Sequence, residues 1–253
     1  MILTEPKIIV PNQHLAKVYH QMGLGVHAYE EDSLWTPDSD LWESCVLNMR
    51  LSDYPPNLTY AWDRSRYQNH GTITGTAYGR QGRSFDGVDD YIRVPSAASL
   101  NLTNRTEEQW IVFGGATWYN TLLNKRTQAD GTMGFWRSYI GSAKDLFWKY
   151  ADGAALQLLT WDMGVGFFKA STAYHIAFTK IGDSVTAYVD SSQLVTQTAT
   201  GALNESGNAL YIGRYQSTSN PFSGIIGEVR IYNRALTPQE VRHNYLATKW
   251  RYR

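Results

Sequence analysis

From residue 41 onward the chain alternates short apolar-polar runs with clusters of turn-forming residues. Ser44 to Leu51 predicts a strand. Arg83 to Pro95 predicts a hairpin: Phe85, a turn at Asp86-Gly87, then Tyr91-Ile92-Arg93-Val94. Gln109 to Phe113 is a further apolar run. Tyr174 to Lys180 and Val185 to Asp190 predict two strands joined through Ile181-Gly182-Asp183-Ser184, with Ile176 and Phe178 on one face of the first and Val185, Ala187 and Val189 on one face of the second. Leu210 to Arg214 and Ile225 to Tyr232 complete the series. In the last, alternation puts Ile225, Val229 and Ile231 on one face and Ile226, Glu228, Arg230 and Tyr232 on the other. A period of two repeated over many short runs predicts an all-β sandwich or jelly roll.

Two segments break this period. Residues 1–40 form an N-terminal arm or linker ahead of a domain spanning 41–253. Within the arm, Gln13 to Met22 predicts a short helix ended by Gly23 and Gly25, with Leu15, Val18, Tyr19 and Met22 as an apolar stripe. That stripe has too few partners inside the arm to be stable alone, so it is expected to dock on its own domain, another subunit or another protein. Near the other end, Thr237-Pro238-Gln239-Glu240 is a capping box that starts a helix, with Val241 and Tyr245 facing the body.

Composition narrows the partners. The 23 Lys and Arg balance 23 Asp and Glu, which argues against a generally basic surface and hence against nucleic acid. Charged residues are 18% of the chain and aromatics 13%, too apolar for disorder. The single cysteine, Cys45, excludes an intrachain disulfide framework and is expected to be a buried thiol. No apolar run approaches the roughly 20 residues of a membrane helix, so no membrane insertion is expected. Glu5, Pro6 and Lys7 interrupt the start where a secretion signal needs an apolar stretch, so the expectation is cytoplasmic synthesis without a signal peptide, followed by a place in a virion or extracellular particle. The sequons at Asn57, Asn101, Asn104 and Asn204 then carry no meaning.

Several motifs in order resemble the laminin-G-like jelly rolls of the concanavalin A-like lectin/glucanase superfamily. They are Trp62-Asp63-Arg64-Ser65-Arg66-Tyr67-Gln68-Asn69-His70-Gly71-Thr72, Ser84-Phe85-Asp86-Gly87-Val88-Asp89-Asp90-Tyr91-Ile92, Tyr188-Val189-Asp190, Leu210-Tyr211-Ile212-Gly213-Arg214, and the closing run from Gly224 to Leu236. The resemblance runs from about Ser44 to the C-terminus and implies two facing antiparallel sheets. It also implies a structural Ca2+ ion, whose carried-over ligands are Asp63, Asn69 and Glu228. Gly227 stands where the family has an Asp, and Arg64 and Arg66 enter the ligand loop, so a metal-free loop pinned by arginine–carboxylate contacts stands beside the calcium reading.

Catalytic constellations are missing. The superfamily's glucanases carry Glu-x-Asp-x-Glu on one strand, a pattern this chain lacks. There is no G-x-S-x-G elbow and no H-E-x-x-H spacing. The expectation is a protein that is not an enzyme. Trp118, Tyr119, Trp136, Tyr139, Trp148 and Tyr150 are candidate rings for a carbohydrate platform or an interface, with the core as the plainer use of large aromatics.

Two functional readings follow. The first is a structural or assembly protein, a virion (phage) decoration, fibre or tail component that contacts itself or other particle proteins through the arm. The alternative is a carbohydrate-binding module or adhesin that contacts glycans.

Overall fold

The computed structural model describes residues 40–53, 57–115, 119–125, 135–141, 145–151, 156–200, 207–215 and 220–252. The arm residues Leu15, Val18, Tyr19 and Met22, and also Trp118, lie outside the described residues. The chain divides into two compact units, residues 1–44 and 45–253. The described part of the first is helix α1 (Asp40–Ser44), where the Ser44 hydroxyl donates to the Leu41 carbonyl at 3.2 Å.

The second unit is an antiparallel two-sheet sandwich. Its first strands are β1 (Cys45–Arg50), β2 (Tyr60–Ala61), β3 (Gly71–Thr74), β4 (Ala77–Gly79), β5 (Gly82–Asp86) and β6 (Tyr91–Val94). The middle ones are β7 (Arg105–Phe113), β8 (Asn120–Lys125), β9 (Phe135–Gly141), β10 (Asp145–Ala151) and β11 (Leu156–Asp162). The last are β12 (Thr172–Ile181), β13 (Ser184–Val189), β14 (Ser192–Thr198), β15 (Leu210–Ile212) and β16 (Ser223–Tyr232), followed by helix α2 (Pro238–Thr248). One sheet, sheet A, runs β14-β13-β12-β7-β16-β5-β4, with β1 also paired to β16. The other, sheet B, runs β11-β10-β9-β8-β15-β6-β3-β2.

Alternation drives the two inner faces together. Phe85, Ile111, Phe113, Ile176, Phe178, Val185, Ala187, Val189, Val229 and Ile231 from sheet A meet Ile92, Val94, Leu123, Ile140, Leu146, Trp148, Tyr150, Leu210 and Ile212 from sheet B in one core. The predicted β12–β13 hairpin forms, pairing Ile176 with Val189 and Phe178 with Ala187. The carboxylate of Glu107, on the inner face of β7, is held by the indole N–H of Trp148 at 2.7 Å and by Arg105 Nε at 3.4 Å. A buried charge left without such donors would be costly.

Two sequence expectations are corrected. The segment from Arg83 to Pro95 is not a hairpin: β5 pairs with β4 and β16 in sheet A, while β6 pairs with β3 and β15 in sheet B. Phe85 and Ile92 both have to reach the interior, so the chain turns a corner from one sheet to the other. Gly87, at φ 80°, makes that corner. In β16, Ile226 rather than Ile225 shares the inner face with Val229 and Ile231. The pairing with β7 slips between Ile226 and Glu228, and this bulge resets the alternation at Gly227.

Helix α2 begins as its capping box predicts. The Glu240 N–H donates to the Thr237 hydroxyl at 3.2 Å, and the Thr237 N–H donates to the Glu240 carboxylate at 2.7 Å. The helix covers the outer face of sheet A, where Trp110 stacks on Tyr245 and Tyr252 with centroid separations of 5.7 and 4.5 Å.

Candidate functional site

The loop between β2 and β3 is built around one carboxylate. Asp63 Oδ1 accepts the backbone N–H groups of Asn48 and Ser65, each at 2.8 Å, and Oδ2 accepts the Ser65 hydroxyl and the Asn69 N–H, each at 2.7 Å. The Asn69 amide donates to the Val46 carbonyl at 2.7 Å and to the Ser99 hydroxyl at 3.0 Å. Arg64 grips Asp53 through both nitrogens, at 3.0 and 2.6 Å, rather than the loop carboxylate. The outcome is a stiff loop whose buried polar groups bond to its own backbone and to that of β1.

That stiff loop presents two rings to solvent. Tyr60 is 47% exposed and Trp62 is 49% exposed, with centroids 5.8 Å apart. His70 meets Trp62 edge-on at 4.6 Å, and its Nδ1 accepts the Asp63 N–H at 3.0 Å, which fixes the imidazole behind the indole. Tyr60 opens a row across sheet B, because the pairing sets it against Thr72, Thr72 against Arg93, and Arg93 against Tyr211. Cross-strand partners project on the same side of a sheet, here the side away from the core. Thr72 and Arg93 are exposed and Tyr211 is half-buried. Tyr91 lies 5.8 Å from Tyr211, with the Arg214 guanidinium 4.4 Å above the Tyr91 ring. A polar and aromatic strip thus leads inward from the edge strand.

The sequence-selected rings separate into groups. Tyr119 is exposed and meets Tyr139 edge-on at 5.4 Å, while Tyr139 stacks on Phe147 at 4.6 Å. Trp148 and Tyr150 are corrected from platform candidates to core: both side chains are fully buried, since alternation along β10 sends them inward with Leu146. The backbone of Trp136 lies in β9 opposite Lys125 and Tyr150. Tyr60 and Tyr211 were absent from the sequence-level candidates because single exposed rings in short strands have no distinctive pattern; only the pairing register aligns them.

The three calcium candidates do not form one set of shared contacts. Asp63 and Asn69 bond to each other across the loop, whereas Glu228 lies on β16, buried, with its carboxylate on Arg230 at 2.6 Å and on Arg251. Among the described residues, a group able to hold a metal ion lies elsewhere. One ligand oxygen from each of Asp86, Asp89 and Asp90, at the corner between the sheets, lies within 4.8 Å of the others. Burial, assisted by the charges of Asp86 and Asp89, raises the Asp90 pKa, although the Asp86 N–H opposes the shift by donating to Asp90 at 2.9 Å. A bound cation would relieve that repulsion, and three carboxylates suit a hard ion. Gly75 keeps this corner open, since a Cβ there would strike Asp90 Oδ1.

Comparisons with known proteins agree with this architecture. No curated protein matches by sequence. The fold matches the binding domain of botulinum neurotoxin serotype D at 14% identity and TM-score 0.63, covering 81% of this chain and 52% of that one. It matches the serotype G binding domain at 13% identity and TM-score 0.64, covering 80% and 50%. It also matches the binding domain of Paraclostridial Mosquitocidal Protein 1 at 14% identity and TM-score 0.64, covering 81% and 52%. The chain therefore spans about half the length of these structures. These three structures are of binding domains. The expectation of a virion decoration, fibre or tail component is corrected on this finding, because the fold likeness is to toxin binding domains. Residues 86–242 match the profile described as the concanavalin A-like lectin/glucanases superfamily, and the chain belongs to that superfamily.

Proposed function

We propose that this domain is a non-enzymatic carbohydrate-binding module that takes its glycan along the outer strip of sheet B. The observation that carries this reading is the pair of solvent-facing rings, Tyr60 and Trp62, held by a loop with no slack. A sugar has an apolar C–H face and a polar rim. The first stacks on exposed rings, and the second hydrogen-bonds to groups such as Thr72, Arg93 and the Tyr211 hydroxyl. A ring held rigid before binding loses little entropy on contact, so even a few such groups bind usefully. The lectin-like fold supports glycans as the partner class. The ion proposed for the Asp86, Asp89 and Asp90 corner is Ca2+, acting as a structural brace between the sheets.

The test is a glycan array with the purified protein, followed by titration of the strongest ligand against Trp62→Ala and Tyr60→Ala. Each ring removed should weaken binding by about threefold to tenfold while leaving the melting temperature unchanged, since both rings are exposed. Absence of any array signal, or unchanged affinity in both variants, would overturn the assignment.

A further inference from the structure

The outer face of sheet B carries a second group of rings, away from Tyr60 and Trp62. Ile140, Leu146 and Trp148 point into the core, which sends Tyr139 on β9 and Phe147 on β10 outward. These two rings stack with an interplanar angle of 13°, and Tyr119, 45% exposed, stands edge-on to Phe147 at 6.2 Å. A Cβ at Gly141 would strike the Phe147 ring, so this glycine lets the ring lie against the strand. Thr160 is exposed and pairs with Phe147 across β10 and β11, as Thr72 pairs with Tyr60 at the other edge of the sheet. Both groups therefore set a ring beside a hydroxyl.

The pairing register joins the two groups. Tyr211 opposes Asn124 on β8, and Asn124 opposes residue 137 on β9, two positions from Tyr139. From β2 to β9 this row crosses five strand spacings. At the usual separation of strands that is about 24 Å. Asn124 lies between the ring groups, on the outer side, because its neighbour Leu123 points into the core. It is fully buried, and neither its amide oxygen nor its amide nitrogen has a hydrogen-bond partner among the described residues. A buried amide left unpaired at both atoms costs stability that nothing inside the domain returns.

We infer that the ligand of sheet B is a linear oligosaccharide read along its length rather than a single terminal sugar. The inference rests on the carbohydrate-binding reading and names the class of glycan. One end of the chain stacks on Tyr60 and Trp62, and the other on Tyr119 and Phe147. Hydroxyls of a middle unit take the Asn124 amide, which donates and accepts at once. Asn124 is covered in the free protein, so the side chains above it part on binding, a common local change at interfaces. Each glycosidic link rotates, which lets the chain follow the twist of the sheet. A sugar chain offers hydroxyls at every unit to the polar positions between the rings. The apolar centre of a protein interface would instead strip Thr72 and Arg93 of water. A terminal sugar would engage one ring group and leave the other, and the amide, without a task.

Titration of the full chain with size-graded linear oligomers of glucose, mannose, galactose and N-acetylglucosamine, dimer to octamer, tests this. Affinity should rise with length in at least one series and then level off. Tyr119→Ala should weaken the longest oligomers about threefold to tenfold and leave the shortest bound ones unchanged, whereas Trp62→Ala should weaken every length. Asn124→Leu should weaken the long oligomers about fivefold while the melting temperature holds or rises, since the variant removes an unpaired buried amide. A purely structural Asn124 would give the reverse, lower stability at unchanged affinity. Equal affinity at all lengths, or a length dependence that neither Tyr119→Ala nor Asn124→Leu alters, would overturn the inference. Binding to no series, with single terminal sugars bound on the array, would overturn it too and leave the carbohydrate-binding reading standing. A silent array would remove both.

Discussion

The side-chain amide of Asn244, on helix α2, donates to the buried carboxylate of Glu108 at 2.9 Å and to the Tyr232 hydroxyl at 3.0 Å. The helix is thus tied to the outer face of sheet A through a carboxyl group removed from water. Burial raises the Glu108 pKa from 4.5 to about 7, with Arg230 and the Asn244 bond opposing the shift. On the same face burial, with the charge of Arg230, lowers the His175 pKa from 6.5 to about 3. These two groups pull stability in opposite directions. Glu108 holds a proton in the folded state that the unfolded chain releases, so its contribution is complete below pH 4.5 and is lost as pH rises through about 7. His175 is neutral when folded and takes a proton when unfolded, so its contribution is complete above pH 6.5 and is lost as pH falls through about 3.

The two slopes should partly cancel between pH 4.5 and 6.5, where both groups differ between folded and unfolded states. Melting temperature against pH would then respond to these two groups less in the native protein than in a variant lacking either one. Glu108→Gln removes one slope, and stability of that variant should fall as pH drops. His175→Phe removes the other, and its stability should fall as pH rises. Thermal melts of the three proteins across that window check the signs.

Val229 sits on the inner face of β16, fully buried. Val229→Ala leaves a void between the sheets and should cost about 1–3 kcal/mol of stability. Denaturant unfolding with an unchanged slope and a lowered midpoint is the expected outcome. The neighbouring Ile225→Ala should cost clearly less, because the bulge turns that side chain away from the core.

Asp63 accepts four hydrogen bonds, three from its own loop and one from the Asn48 N–H on β1. Asp63→Ala strands buried N–H groups and should destabilise by about 2–4 kcal/mol. The same variant should also loosen Trp62. Its indole fluorescence anisotropy should drop at temperatures where the rest of the domain is still folded, and glycan affinity should fall with it.

Calcium at the corner of Asp86, Asp89 and Asp90 would bind the folded state only, so it should raise the melting temperature in proportion to the logarithm of its concentration. A chelator should reverse the rise. Asp89→Asn should abolish it, whereas Glu228→Gln should destabilise the protein in both the presence and absence of calcium, since Glu228 is engaged by Arg230 and Arg251.

Strand periodicity, the capping box at Thr237 and the ordered family motifs determined the class of fold from local information alone. Each depends on residues close in sequence: alternation in β12 and β13, and the reciprocal bonds of Thr237 and Glu240. Long-range pairing was not legible. Nothing local distinguishes a hairpin at Asp86-Gly87 from a corner between sheets, because the same turn chemistry serves both, and only competition among distant strands for β16 decides it. The bulge at Gly227 likewise arises from the match between β16 and β7, and it exchanged the roles of Ile225 and Ile226. For the candidate site the division is similar. Asp63 and Asn69 were legible through their motif, but their task of bracing the loop appeared only with their partners. The strip from Tyr60 through Thr72 and Arg93 to Tyr211 draws on four strands, the last of them more than a hundred residues beyond the third. Its alignment is a property of sheet register, set by the burial of Ile92, Leu210 and Ile212 on the opposite face. Tertiary packing alone decided which rings the protein keeps in its core and which it shows to solvent.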